Sequence, residues 1–155
     1  MMVTSVERRY ASLRFFENIP RKRQDRAMGG RKRTESSVRV LIVEDEANTR
    51  ETFAAILKEH GYEVETAGDG HEAIKMARKK SFNIAFIDIV LNGLNGVETF
   101  EKIKKINPEI VTIMMTAYSV NDLINEALKK GAYTCIYKPL DIDKVISLIK
   151  EHFQN

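Results

Sequence analysis

The chain has 155 residues, 30% of them charged and 43% apolar, with a net charge of +3, a composition that suits one soluble globular domain with a real core. Its single cysteine, Cys135, excludes an internal disulfide and a cysteine-rich zinc site and agrees with a reducing, cytoplasmic setting. His60, His71 and His152 lack ligand spacing, and no run approaches the roughly 20 apolar residues that span a bilayer.

The charge is uneven. Residues 1–37 hold ten Lys and Arg against four Asp and Glu, whereas residues 38–155 hold fifteen against eighteen. Arg21-Lys22-Arg23 and Arg31-Lys32-Arg33 stand on either side of Gly29-Gly30. Little apolar material is present to offset chain entropy, so residues 1–37 are expected to form a basic, disordered N-terminal extension. Within it, residues 4–17 can make a short amphipathic helix: Thr4 and Glu7 form a capping box, and Val6, Tyr10, Leu13 and Phe16 share a face. A solvated tail is the expected state, with nucleic acid or anionic lipid as the alternative partner. There is no clean apolar signal region, and Met28 offers a second start.

Residues 38–155 alternate strand and helix patterns. Val38–Val43 is a nearly continuous apolar run, a buried strand that ends in Glu44-Asp45-Glu46. A helix with Phe53, Ile56 and Leu57 on one face stops at His60-Gly61. Tyr62–Thr66 alternates as an edge strand, and a helix over Asp69–Lys79 turns Ala73, Ile74 and Ala77 inward. Ile84–Ile87 is purely apolar and delivers Asp88 at its end; Ile89–Gly96 follows as a Gly- and Asn-rich loop able to turn tightly around that residue. Asn95 caps a third helix with Val97, Phe100 and Ile103, which stops before Pro108.

Ile110–Met115 is a further buried strand, ending at Thr116-Ala117. Ser119 or Asn121 opens a helix with Leu123, Ile124, Ala127 and Leu128, closed by Gly131. Ala132–Tyr137 is the fifth strand, closing on Lys138-Pro139, and its Tyr133 and Tyr137 are assigned to the face opposite Cys135. Asp141 caps a last helix with Ile142, Val145, Ile146, Ile149 and Phe153. Five such units imply a doubly wound α/β fold: a five-stranded parallel sheet with helices on both faces. The more apolar strands 1, 3 and 4 belong inside, which gives the flavodoxin-like order 2-1-3-4-5.

In this fold the site lies at the strand C-terminal ends, between strands 1 and 3. Glu44, Asp45, Asp88, Thr116 and Lys138 would converge there. Packed carboxylates repel unless a cation intervenes, and an all-oxygen set suits Mg²⁺. A carboxylate nucleophile beside a divalent cation and hydrogen-bond donors for an anion points to phosphoryl transfer.

The segments IVEDE (42–46), IDIVLNGLNG (87–96), MMTA (114–117) and YKP (137–139), in that order, resemble the receiver domain of bacterial two-component response regulators over all of residues 38–155. The resemblance implies a phosphoacceptor switch, not a classical enzyme, that catalyses its own phosphorylation and aspartyl-phosphate hydrolysis. Asp88 would take a phosphoryl group from a phosphohistidine on a sensor histidine kinase or phosphotransfer protein. Asp45, Asp88 and the Val90 carbonyl would ligate Mg²⁺, with Glu44 acting through water. Lys138 would hold a phosphoryl oxygen, and its bond to Pro139 would be cis. Thr116 would swing toward the phosphoryl group and remodel the face made by the fourth helix, fifth strand and fifth helix, used for a downstream partner or a homodimer.

Ala117, Tyr118, Cys135 and Pro139 complete the phosphate environment and switch. Two departures from the family pattern stand out: Asn92 replaces a frequent proline, and Cys135 occupies the place of a switch aromatic. Cys135 reads as a small buried hydrophobe. Because the last apolar residue lies two positions from Asn155, no output domain is expected to follow. A nucleic-acid adaptor using the basic head, and a docking scaffold that is never phosphorylated, are the alternatives.

Overall fold

The computed structural model describes residues 37–153; the readings made for residues 1–36, including the helix over 4–17, lie outside the described residues. Strands β1 (Arg39–Val43), β2 (Glu63–Ala67), β3 (Ile84–Asp88), β4 (Val111–Thr116) and β5 (Thr134–Tyr137) alternate with helices α1 (Ala47–Glu59), α2 (Gly70–Lys79), α3 (Gly96–Ile106), α4 (Asn121–Lys129) and α5 (Ile142–Phe153). The sheet is parallel throughout, in the order β2-β1-β3-β4-β5.

Burial follows from this order. Every residue of β3 is buried, whereas edge strand β2 keeps Glu63 exposed. Phe86 on β3 meets the edge of Phe53 on α1, with ring centroids 5.3 Å apart, an arrangement that adds directional attraction to apolar burial. Phe100 and Ile103 of α3 are fully covered.

Side-chain caps fix most helix starts, and so fix the loops that carry the strand ends. Glu46 accepts from Asn48 and Thr49 N–H at 3.1 and 2.6 Å, Asp69 accepts from Glu72 N–H at 2.8 Å, and Asn95 with Glu98 forms a full capping box. Asp141 accepts from Asp143 N–H at 3.0 Å. α4 opens at Asn121, one of the two starts offered by the sequence; Val120 holds the cap position, and no side chain closes the turn. Gly61 (φ 90°) and Gly131 (φ 105°) end α1 and α4 in the left-handed region, where a Cβ would be strained.

One assignment from the sequence needs correction. Residues two apart on a strand share a face, so Tyr133, Cys135 and Tyr137 lie together, not on opposite faces. Tyr133 reaches α5, where its hydroxyl donates to Glu151 Oε1 at 2.8 Å. Tyr137 is 43% exposed at the strand end. No helix among the described residues is long and apolar enough to cross a membrane.

Candidate functional site

The strand order reverses between β1 and β3, and the chemistry-bearing residues gather there. Val43 pairs with Ile87 and Asp88 with Met115, so Glu44, the first residue past β1, and Asp88, the last of β3, emerge side by side. Carboxylate oxygens of Glu44, Asp45 and Asp88 all lie within 4.8 Å of one another. Glu44 and Asp88 are buried, while Asp45 is half-buried.

Lys138 joins them from the far end of β5. Its ammonium donates to Asp88 Oδ2 at 2.5 Å and also contacts Glu44 Oε2. Burial alone would lower the Lys138 pKa, but the hydrogen bonds to Asp88 and Glu44 outweigh it and hold the ammonium above its ordinary value. Burial raises the Glu44 carboxyl, with the Asp88 charge in the same direction; the Lys138 hydrogen bond only partly offsets this.

The backbone supplies the remaining contacts. Val90 N–H donates to Asp88 Oδ1 at 2.9 Å, Glu46 N–H to Glu44 Oε1 at 3.2 Å, and Asn92 N–H to Asp45 Oδ2 at 3.2 Å. Gly93 takes φ 77° in the intervening loop, as the loop composition predicts. Three carboxylates against one ammonium leave an excess of negative charge, and every candidate ligand atom is oxygen. This donor set fits a hard divalent cation such as Mg²⁺.

Thr116, at the end of β4, is fully buried, but its hydroxyl is turned into a local turn: it donates to Tyr118 O at 3.1 Å and accepts from Tyr118 N–H at 3.0 Å. It is thus brought to the crevice without touching the carboxylates. Ala117 and Tyr118 are exposed, Tyr118 at 63%. The Lys138–Pro139 bond is cis, and Pro139 is exposed. Cys135 is fully buried and burial pushes its thiol up to about 12, which fits a core residue and not a reactive thiolate.

Two site residues escaped the sequence reading. Arg50 on α1 donates to the Glu44 carbonyl at 2.8 Å and so anchors the acidic loop. Gly96 brings the start of α3 against the Asp88 backbone so closely that an added Cβ would collide with its carbonyl. Its presence in the loop motif was visible, but the close approach is a tertiary fact.

Comparison with known proteins agrees with this fold. Residues 40–150 match the family model described as the response regulator receiver domain. The transcriptional regulatory protein ZraR of Klebsiella oxytoca is 39% identical over 114 residues, covering 74% of this chain and 26% of that protein. The chain thus spans about a quarter of that regulator's length. Sporulation initiation phosphotransferase F of Bacillus subtilis is 31% identical over 114 residues, covering 74% of this chain and 92% of that protein. Among solved structures, a CheY-like receiver domain protein from Methanospirillum hungatei superposes with a TM-score of 0.72 at 34% identity, covering 75% of this chain and 93% of that one.

Proposed function

The chain belongs to the response regulator receiver domain family, the phosphoacceptor switches of two-component signalling, and on that premise we propose that Asp88 is its phosphoacceptor. The observation that supports this most is the single crevice in which the Asp88 carboxylate, two further acids and the Lys138 ammonium meet.

In the proposed reaction an Asp88 carboxylate oxygen attacks the phosphorus of a phosphohistidine on a sensor kinase or phosphotransfer protein. The P–N bond breaks, its electron pair returns to the imidazole, and an aspartyl phosphate forms. Asp45, Asp88 and the Val90 carbonyl would hold Mg²⁺, with Glu44 acting through water, and the ion would neutralise charge on the transferring group. Val90 N–H orients the Asp88 carboxylate. Lys138 exchanges its contact with Asp88 for one with a phosphoryl oxygen, at little cost because its ammonium is already placed. Thr116 breaks its turn with Tyr118 and offers its hydroxyl to the phosphoryl group.

That exchange biases a pre-existing equilibrium between two arrangements of the β4–α4 segment. The α4–β5–α5 face then changes its affinity for a downstream protein or a second copy. The reading includes a cytoplasmic setting, and residues 1–37 as a basic extension to a receiver domain at 38–155. It is tested by incubation with acetyl phosphate and Mg²⁺ followed by intact-mass measurement. Wild type gains one phosphoryl group, and Asp88→Ala gains none; equal gain by both proteins contradicts the assignment.

A further inference from the structure

Away from the crevice, charge is segregated on one pair of helices. Residues 38–155 carry an excess of acid, yet α2 and α3 hold Lys75, Arg78, Lys79, Lys102, Lys104 and Lys105 against only Glu72, Glu98 and Glu101. All three acids are engaged. Glu72 accepts from Gly68 N–H at 2.7 Å, Glu98 completes the box with Asn95, and Glu101 binds Lys130 at 2.8 Å. Lys75, Arg78, Lys79, Lys102 and Lys105 are exposed and make no ion pair among the described residues.

Topology puts these cations together. α2 and α3 pack side by side. Each leaves the C-terminal end of one strand and returns to the start of the next, and the strands are all parallel, so the two helices run in the same direction. Their basic halves therefore adjoin, at the end of the sheet remote from Asp88. Cations in a last turn are an ordinary complement to the helix dipole. Lys75 and Lys102 stand a turn earlier, three and four residues after Glu72 and Glu98, a spacing that favours pairing, yet neither makes an ion pair among the described residues. Ile106, 37% exposed at the end of α3, adds an apolar edge.

We infer that the C-terminal halves of α2 and α3 form a docking face for a short acidic segment of a partner protein. The scale of the face selects the occupant. Two helix turns are about 11 Å long, neighbouring helices lie about 10 Å apart, and screening sets in over about 8 Å at physiological salt. A duplex or a bilayer would extend past this area and meet a domain of net negative charge. A carboxylate-rich turn of protein fits within it. The face lies opposite the crevice, so a partner can remain docked while Asp88 reacts.

The test uses the full chain and a fluorescein-labelled octaglutamate peptide, read by anisotropy. Wild type binds with a strong salt dependence. The exposed triple variant K79E/K102E/K105E binds about tenfold or more weakly, while its circular dichroism and phosphoryl uptake from acetyl phosphate stay at the wild-type level. A second variant, R31E/K32E/R33E, separates the basic head: it retains binding if the helix face is the site. Undiminished binding by K79E/K102E/K105E, or loss caused by the head variant alone, overturns the proposal. Tighter binding to duplex DNA or to phosphatidylserine vesicles, abolished by the helix-face variant, overturns the choice of a protein partner.

Discussion

Lys138 Nζ lies 2.5 Å from Asp88 Oδ2, although the two residues are fifty positions apart. The contact exists because β3 and β5 deliver their C-terminal ends to the same edge of a parallel sheet. It ties the proposed phosphoacceptor to a cation that also contacts Glu44.

The cluster holds more negative than positive charge, so divalent cation binding should stabilise the folded chain. Titrating Mg²⁺ in a thermal melt should raise Tm with concentration. At ten times the dissociation constant the gain is about 1.4 kcal/mol. Asp88→Ala should lose at least half of this effect, because one ligand is gone. A Tm indifferent to Mg²⁺ in wild type would count against the fit of the site to a hard cation.

Gly96→Ala places a methyl group against the Asp88 carbonyl. Backbone is the obstacle, so α3 must shift; overpacking of this kind costs about 1–3 kcal/mol. Urea unfolding should show that loss, and phosphoryl uptake should slow as Asp88 is displaced. Wild-type stability with wild-type uptake would show that the close approach carries no weight.

Two neighbouring carboxyls should respond to pH in opposite directions. Glu46 is held below its ordinary value chiefly by its hydrogen bonds with Thr49, so the stability it supplies is present above that ordinary value and is lost as pH falls through its lowered one. Glu44 is raised by burial, so its ionised form costs stability; that cost is full above its raised value, shrinks as pH falls below it, and is gone below the ordinary carboxylate value. Urea midpoints measured in Mg²⁺-free buffer between about pH 3 and pH 7 should show Glu46→Gln less stable than wild type near neutrality. Glu44→Gln should be more stable there, with both differences closing in acid. The reverse ordering near neutrality would contradict the assigned causes.

Val90 and Tyr118, exposed at 43% and 63%, lie two residues past Asp88 and Thr116. Val90 has no polar side-chain atom and Tyr118 is bulky with only a weakly basic hydroxyl, so both are poor at orienting an attacking water. The phosphorylated chain should therefore lose phosphate slowly. Tyr118→Glu, which replaces the phenol with a carboxylate that accepts strongly from water, should hydrolyse faster. Phosphate release from the isolated proteins measures this, and an equal or slower rate in the variant is the contrary result.

Much of this architecture was legible because each strand announces its environment. Ile84–Ile87 could be placed inside since both of its faces are apolar, and Asp88 at its exit since a carboxylate cannot sit within that layer. Glu44 and Lys138 could be placed for the same reason, at the ends of their own strands. Contacts between distant segments were not legible. Nothing local shows that Lys138 touches both Glu44 and Asp88, that Arg50 holds the Glu44 carbonyl, or that Gly96 presses on the Asp88 backbone. Thr116 closes on Tyr118 by a hydrogen bond that composition does not encode. The basic face of α2 and α3 was hidden by the net acidity of residues 38–155, and emerged only when helix direction aligned the lysines.

Borohydride reduction offers the most direct test of the central claim, because it converts an aspartyl phosphate to homoserine at the residue that carried it. After incubation with acetyl phosphate and Mg²⁺, reduction and peptide mapping should find homoserine at position 88, and none when Mg²⁺ is withheld. Homoserine at another aspartate, or at no position in a folded, Mg²⁺-supplied protein, would contradict the account.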